Sequence, residues 1–361
     1  MSGFSFLFTN LLTGEVIDEI PIGSVEMSKK LNGYGVFRGA FSLDVSGKSN
    51  ADMLSASIPG KCGLIVEQDN QPIWDGIVWA RWYQSQAKSV QFTARTLEAY
   101  FDHVFLRTDI DYVSTEQRNI FRELVLNLQL TASSNLRINV PSAFPGAVLR
   151  TLNVLATEYK TYMQIISGMA DSVNGFDWTI TTNKSGNEYT RILRIGYPTL
   201  GAIGDGLTFD YPGNITNYYA SESIENAATH MFVLGAGEGS DMVVGTYTAQ
   251  DLIETNWPRL DGTFSRKDIE SQSIINAYAN QIGIQRRPPF IVIKVFVKDD
   301  QDPIFGSYGL GDTATLAIKD PRFPEGVQIQ ARITSFSYRP SSDNSVGEVE
   351  LIFEGDELNG E

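Results

Sequence analysis

The first hundred residues are interrupted by turns too often to hold long helices. Runs rich in aromatic and β-branched residues, such as FSFLFT, GLIVEQ and SVQFTART, alternate with turn-forming segments such as NGYG, PGKCG and QDNQ. Short strands at this spacing are typical of β-sandwiches and β-barrels. Within SVQFTAR, Val90, Phe92 and Ala94 alternate with polar residues, which predicts a strand with one buried face. Residues 1–102 are therefore predicted to form a β module.

Residues 103–205 have a different pattern. STEQRNIFRELVLNLQL carries apolar residues at helical spacing, with Ser114 as its predicted N-cap. TYMQIISGMADSVNG repeats this pattern: Thr161 and Gln164 have capping-box spacing, the apolar stripe extends to Val173, and Gly175 is the predicted end. FDWTITT and YTRILRIGY flank NKSGNE, as in a hairpin. We predict a small peripheral α+β region over 103–205.

Strand patterns return over residues 206–361, including FIVIKVFVK, TATLAIK, VQIQARITSFSY and GEVELIFEG. One helix is predicted at about 271–287, in SQSIINAYANQIGIQRR, because the two prolines that follow cannot continue it. The last three strands repeat the plan of CGLIVEQ, PIWDGIVWARWY and KSVQFTAR: a strand, a turn, a long strand, a polar turn and an alternating strand. This pseudo-repeat predicts a second β module over 206–361, related to the first. The predicted fold class is mainly β with an α+β insertion.

The charge of the chain argues against nucleic-acid binding. The sequence contains 43 acidic and 28 basic residues, a formal net charge of −15 at pH 7. Binding to a phosphate backbone needs clustered Lys and Arg, and QRRPP is too short a patch to reverse this balance. An acidic surface repels phosphate, which suits a conduit through which DNA must slide without sticking.

Few residues in the sequence have the spacing that catalysis or metal binding needs. Two histidines, His103 and His230, and one cysteine, Cys62, argue against a histidine-based triad, a thiolate metal site and an intramolecular disulfide. The glycines of VLGAGEGSDMVV precede a strand pattern rather than a helix, so a hairpin turn is predicted instead of a dinucleotide loop. The carboxylates of DIDY and KDDQDP lack calcium-loop spacing. We predict no catalytic residue, no metal site, no cofactor and no enzymatic activity.

The N-terminal segment lacks the pattern of a targeting signal. MSGFSFLFTNLLTGEVIDE has no basic leading region, and polar residues interrupt its apolar run early, so a signal peptide is not predicted. No segment approaches the roughly 20 apolar residues that a membrane-spanning helix needs. We expect synthesis in a reducing cytoplasm and no membrane insertion.

Three tryptophans, Trp74, Trp79 and Trp82, fall within the thirteen residues QPIWDGIVWARWY. A row of exposed indoles is typical of carbohydrate-binding modules, which gives one hypothesis: recognition of host surface glycans. Strict alternation along a strand places Trp74 and Trp82 on one face and Trp79 on the other. Each face then mixes large apolar residues with small or charged ones. This arrangement favours a strand covered on both sides, with indoles that pack between layers.

Several of these segments together resemble a known family. IPIGSVEMSKKLNGYGVFRGAFSLDV, IWDGIVWARWY, and the late ANQIGIQRRPPFIVIKVFV, GLGDTATLAI and ARITSFSYRPSSDNSVGEVELIFE are similar to the minor tail proteins of siphophages that infect actinobacteria. More broadly, the layout resembles the tail hub, or baseplate hub, proteins of tailed phages. The resemblance covers most of the chain and depends on patterning rather than on a catalytic signature.

The resemblance implies two tail-tube-like β-barrel or sandwich modules and smaller peripheral domains. It implies a virion protein of the tail tip, in which three copies form a pseudo-hexameric ring that closes the distal end of a tail tube. The partners implied are two further copies of the chain, the tail tube or distal tail protein, the tape measure protein, and tail fibres or other minor tail proteins. Viral DNA would pass through the ring without specific binding.

Overall fold

Strands dominate the computed structural model, which describes residues 3–267, 269–287, 290–340 and 347–355. The predicted mainly-β class with small α+β parts is confirmed. Contacts between residues divide the chain into two compact units. Unit 1 comprises Met1–Asp171, Gly175–Asn217 and Val295–Phe353, and unit 2 is built mainly from Tyr218–Lys294. The division into domains at 102 and 205 stays a prediction.

The first β module contains seven strands and one short α-helix. These are β1 (Phe4–Asn10), β2 (Val16–Glu19), β3 (Gly23–Lys30), β4 (Val36–Ser42), α1 (Asn50–Ala56), β5 (Cys62–Gln68), β6 (Gln71–Gln84) and β7 (Ser89–Thr96). The strand order is β3-β4-β7-β6-β5-β1-β2, and every pair is antiparallel. The sheet curls on itself, because Phe8 of β1 reaches Phe92 of β7 at 5.7 Å between ring centroids. Val90, Phe92 and Ala94 are all buried in its interior, as the alternation of SVQFTAR predicts.

The α+β region follows in the chain. Its elements are β8 (Ile110–Glu116), α2 (Gln117–Leu130), β9 (Ile138–Asn139), β10 (Leu149–Val154), α3 (Tyr162–Ala170), β11 (Asp177–Ser185) and β12 (Glu188–Gly196). Strands β11 and β12 form the predicted hairpin. The core between the helices and this hairpin includes Phe121, Leu124 and Trp178, each essentially inaccessible to solvent.

Two predicted helix ends differ from the structure. Helix α2 is capped by Glu116, whose carboxylate accepts the Asn119 N–H at 3.0 Å. Ser114 instead lies within β8 and has a φ of 47°, so it cannot cap a helix. Helix α3 has the predicted Thr161 capping box, but it ends at Ala170 rather than continuing to Gly175. Val173 packs against the core of unit 2 instead of extending the stripe of α3.

The remaining described elements belong to residues 203–355. They are β13 (Ile203–Tyr211), β14 (Ile215–Ser223), β15 (His230–Leu234), β16 (Val244–Thr248), α4 (Gln250–Glu254), β17 (Asp261–Ser265), α5 (Gln272–Gln285), β18 (Phe290–Lys298), β19 (Thr313–Ile318), β20 (Val327–Arg339) and β21 (Glu348–Gly355). Helix α5 lies within the predicted range of about 271–287. Strands β15 and β16 are antiparallel and flank the Gly-rich segment, which is therefore the predicted hairpin turn.

The second β module repeats the strand order of the first. Its order is β14-β18-β21-β20-β19-β13, which matches β3-β4-β7-β6-β5-β1 position by position. Thus β14 corresponds to β3, β18 to β4 and β20 to β6. The match is not complete, because β13 and β19 are parallel whereas β1 and β5 are antiparallel. The pseudo-repeat predicted from the last three strands therefore extends over six positions of the sheet.

The segment between β14 and β18 holds most of unit 2. Strand β15 lies between β16 and β17, and α5 packs against this small sheet through Ile275, Tyr278 and Ala279. In the first module, the corresponding strands β3 and β4 are joined by residues 31–35 alone. The second module thus carries an inserted α+β unit where the first has a short turn.

Candidate assembly surface

The two β modules are joined by one long strand, β20. Its first half, Val327–Arg332, pairs with β19, and its second half, Ser335–Tyr338, pairs antiparallel with Lys30–Met27 of β3. Because both halves lie in one strand, the two modules form a continuous thirteen-stranded sheet within the described residues. The junction is covered: Phe336 and Tyr338 are 8% and 0% exposed.

Side chains reinforce this junction. The Tyr338 ring packs against Phe305 at 4.5 Å and against Phe4 of β1 at 5.9 Å. Its hydroxyl donates a hydrogen bond to the Asp299 carboxylate, and burial, together with that carboxylate, raises the pKa of Tyr338. At the end of β20, Arg339 pairs with Glu26 of β3 at 2.8 Å. The junction is therefore a built interface with a backbone ladder, buried rings and an ion pair.

A buried ion pair ties the first module to the α+β region. The Arg191 guanidinium of β12 contacts both oxygens of Asp75 of β6, at 2.9 and 3.3 Å. It also donates to the backbone carbonyls of Leu11 and Leu136, at 3.3 and 3.0 Å. The Asp75 oxygen that lies 2.9 Å from Arg191, Oδ2, also accepts the Thr182 hydroxyl at 2.8 Å. Arg191 and Asp75 are each 5% exposed, so this network is part of the interior.

Two further contacts hold the β11–β12 hairpin in place. Lys184 contacts the Glu67 carboxylate at 2.8 Å, and the Tyr189 hydroxyl donates to the same group at 2.7 Å. Burial and the Glu67 hydrogen bond raise the pKa of Tyr189 to about 12. Asp177 of β11 pairs with Arg332 of β20. The hairpin therefore contacts both β modules.

The three tryptophans of β6 lie in different environments. Trp74 is 1% exposed, packs on Phe37 at 5.5 Å and donates its indole N–H to the Ser28 carbonyl at 2.9 Å. Trp79 is half-buried, lies under the Arg95 guanidinium at 4.6 Å and meets the His103 ring at 4.8 Å. Both indoles pack between layers, as the mixed composition of the strand faces predicts.

Trp82 is different, and strict alternation assigns it to the wrong face. A β-bulge lies between Val78 and Ala80, where the register with β7 shifts by one residue. Beyond the bulge, Arg81 pairs with buried Phe92, while Trp82 pairs with exposed Gln91. Trp82 therefore lies on the face opposite to the Phe92 core and is 55% exposed. Bulges have no sequence signature strong enough to be predicted from this stretch.

Cys62 and His230 belong to residue types that can react or bind metals, and the structure shows their neighbours. Cys62 is buried, and burial raises the pKa of its thiol. The His230 ring nitrogen Nδ1 lies 3.1 Å from the hydroxyl of its neighbour Thr229. Across the described ranges, no three His, Cys, Asp or Glu side chains converge on a metal-sized site. No helix in the same part of the chain is long and apolar enough to cross a membrane.

Comparison with solved structures gives matches along the whole chain. A tail protein from Neisseria meningitidis MC58 has a TM-score of 0.66 and 11% identity, covering 98% of this chain and 97% of its own. The 43 kDa tail protein of prophage MuSo2 from Shewanella oneidensis has a TM-score of 0.65 and 8% identity, covering 97% and 98%. Prophage tail protein gp18 from Listeria monocytogenes EGD-e has a TM-score of 0.56 and 10% identity, covering 99% and 95%.

The chain has the fold of these tail proteins. Their identity to it is low, so the likeness is one of fold, and it agrees with the fold that the sequence resemblance implies. No protein-family model matches the chain, and no curated protein matches it by sequence.

Sequence reasoning does not identify the edges through which the modules join. The pairing of β20 with β3 links residues some three hundred positions apart, and strand register at that range is set by tertiary packing. One signal was present: PIWDGIVWARWY and GVQIQARITSFSY are long strands at equivalent places, and both finish on a tyrosine, Tyr83 and Tyr338.

Proposed function

We propose that this protein is a non-enzymatic structural component of a phage virion, a trimeric hub at the distal end of the tail tube. Three copies, each with two β modules, form a pseudo-hexameric ring that continues a hexameric tube. One observation carries this proposal: the same strand order occurs twice, and the two modules are fused edge to edge through β20 and β3. The shared fold with tail proteins supports it.

The charge of the chain fits a channel wall. With 43 acidic against 28 basic residues, a ring of three copies carries a large negative charge, which repels the DNA backbone and prevents sticking. We propose that the lumen is acidic and that DNA passes through the ring without specific contacts.

The remaining partners follow from the position of such a ring. One rim would meet the tail tube or distal tail protein, and the tape measure protein would end in the lumen. The other rim would dock tail-fibre or other minor tail proteins. The resemblance of the sequence to the minor tail proteins of siphophages that infect actinobacteria supports this placement.

Cryo-electron microscopy of tails from the phage that encodes this chain tests the proposal. We expect threefold-averaged density at the tube tip into which both β modules fit, six modules around the axis. Density that places this chain outside the axial ring, or attached singly to a fibre, would contradict it. Sedimentation equilibrium of the purified chain gives an independent measure, with a trimer as the expected species.

Carbohydrate binding is the alternative, and a specific feature keeps it testable. Trp82 and the adjacent Tyr83 are 55% and 60% exposed, whereas Trp74 is buried and Trp79 packs against Arg95 and His103. A glycan array is the measurement. Binding by the wild type that Trp82→Ala abolishes without loss of folding would support glycan recognition, and an array without signal would count against it.

A further inference from the structure

The second half of β6 has an open edge. Strand β5 pairs with β6 only up to Ile77, opposite Gly63. From Ala80 to Gln84, β6 pairs with β7 on one side, and no strand of the described residues pairs with it on the other. Within this edge, Trp82 and Tyr83 are 55% and 60% exposed.

The corresponding part of β20 is not open. In β20, pairing with β19 ends at Arg332, and pairing with β3 begins at Ser335, three positions later. Counting three positions on from Ile77 gives Ala80. The segment Ala80–Tyr83 therefore corresponds to Ser335–Tyr338, the segment that joins the two modules, and both segments end on tyrosine.

The strand that would complete the open edge is also defined by the repeat. Strand β20 joins its neighbouring module at β3, and the counterpart of β3 in the second module is β14. Both occupy the same terminal place in the order of their module. Strand β14 ends the order of the described sheet, and Thr216 and Asn217 within it are exposed.

We propose that the open edge of β6, Ala80–Tyr83, pairs with β14 of a second copy of this chain. The proposal rests on the proposed trimeric hub and names the junction between its copies. Around the ring, the end of each long strand then pairs with the first strand of the next module: β20 with β3 of the same chain, and β6 with β14 of the next chain. Three copies close into a ring because this heterologous contact repeats by rotation.

The side chains of this edge agree with pairing rather than with exposure to water. Soluble proteins protect open edges with Lys, Pro or inward-pointing charges, because an open apolar strand is a template for aggregation. Arg81 lies on the Phe92 face, where its guanidinium bonds the Leu54 carbonyl and the Ser57 hydroxyl of its own chain, so its charge does not project from the edge. Trp82 and Tyr83 are the exposed aromatic side chains of this edge, and Trp and Tyr are enriched at the centres of interfaces.

Site-directed crosslinking tests the pairing. In a Cys62→Ala background, Trp82→Cys is combined with Thr216→Cys or, separately, with Asn217→Cys. The two positions on β14 point to opposite faces of the strand, so one of them shares a face with residue 82. A short bismaleimide is added to the full-length protein, and products are separated on a denaturing gel.

We expect covalent dimers and trimers from one of the two combinations, with a crosslinked peptide that joins residue 82 to β14. Each single-cysteine variant should stay uncrosslinked, since a heterologous contact keeps like residues apart. The matched control replaces Trp82→Cys by Val113→Cys, which is 70% exposed and outside this edge, and it should give no trimer.

The outcomes separate this proposal from the hub itself. A trimer by sedimentation that gives no crosslink between residue 82 and β14 overturns the pairing and leaves the hub standing. A chain that stays monomeric at its highest soluble concentration overturns both.

A second variant measures the contribution of the edge to assembly. Trp82→Lys places a charge there, and we expect the concentration needed for trimer formation to rise by more than about tenfold. Tyr159→Lys, at a position 69% exposed elsewhere in the chain, is the control and should leave trimer formation unchanged. Equal effects of both substitutions would contradict the proposal. Both variants should unfold at the same denaturant concentration as the wild type.

Discussion

Replacing Arg191 by methionine tests whether the buried ion pair holds the α+β region against the first module. The substitution keeps most of the side-chain volume but leaves Asp75, 5% exposed, without its cation. Removing one partner of a buried pair costs about 3–5 kcal/mol, because the remaining charge stays desolvated. We expect the upper part of this range, since the Leu11 and Leu136 carbonyls also lose their donor.

Urea unfolding followed by tryptophan fluorescence is the assay. Trp257 lies in unit 2, so a Trp257→Phe background confines the signal to unit 1, which contains the other four tryptophans of the five. With an m-value of about 3 kcal/mol/M for a unit of this size, a loss of about 3–5 kcal/mol lowers the midpoint by roughly 1–1.7 M.

Two variants decide how the result is interpreted. Arg194→Met changes an exposed arginine of the same strand and should alter stability by less than about 0.5 kcal/mol. The double variant Asp75→Leu, Arg191→Met removes both charges and should be more stable than Arg191→Met alone. If Arg191→Met costs no more than Arg194→Met, the ion pair does not hold the two parts together and the reasoning is wrong.

Three further predictions concern the first module and the junction. Trp74→Ala should lower the free energy of unfolding by about 3–5 kcal/mol, because a buried indole is lost and the Ser28 carbonyl loses its donor. Trp82→Ala should change it by less than about 0.5 kcal/mol, and equal effects in chemical denaturation would contradict the placement of these rings. Gly35→Ala should destabilise the folded protein by more than about 2 kcal/mol, since the new Cβ would lie 1.9 Å from the Ser28 backbone oxygen. Gly33→Ala is the control, because its Cβ would meet no atom nearer than 3.7 Å; it should fold normally by circular dichroism and melt close to the wild type. The raised pKa of Tyr338 in the folded protein means that its contribution to stability is complete below about pH 10, the pKa of an unfolded tyrosine, and is lost as the pH rises toward the folded-state pKa; Tyr338→Phe should flatten the alkaline fall of the unfolding free energy, and an unchanged slope would refute this.

Local features of the fold could be predicted where one segment determines its own structure. The stripe Ile120, Phe121 and Leu124 is buried as its spacing predicts, and Thr161 and Gln164 form the predicted capping box. These features depend on residues within one or two helical turns. The hairpin of β11 and β12 belongs to the same class.

Features that depend on distant strands could not be predicted from the sequence. The bulge after Val78 moves Trp82 to the opposite face of the strand, and nothing in the sequence WARWY indicates a bulge. Glu116 replaces Ser114 as a cap because β8 continues further than its composition indicates. The pairing of β3 with β20 depends on the register between strands at opposite ends of the chain. The aromatic residues of β6 and β20 could therefore be identified from the sequence, but their exposure and their neighbours could not.

The insertion between β14 and β18 has a consequence for how such chains diversify. These two strands are neighbours in the sheet, so the sheet requires only that the ends of the inserted segment lie close together. The entropic cost of a longer connection grows slowly, by about 0.6 kcal/mol for each doubling of its length. Recombination at this point can therefore exchange a whole folded segment while the flanking strands keep their sequence. We expect lineages of such chains to differ most in residues 224–289 and to share the strands on either side.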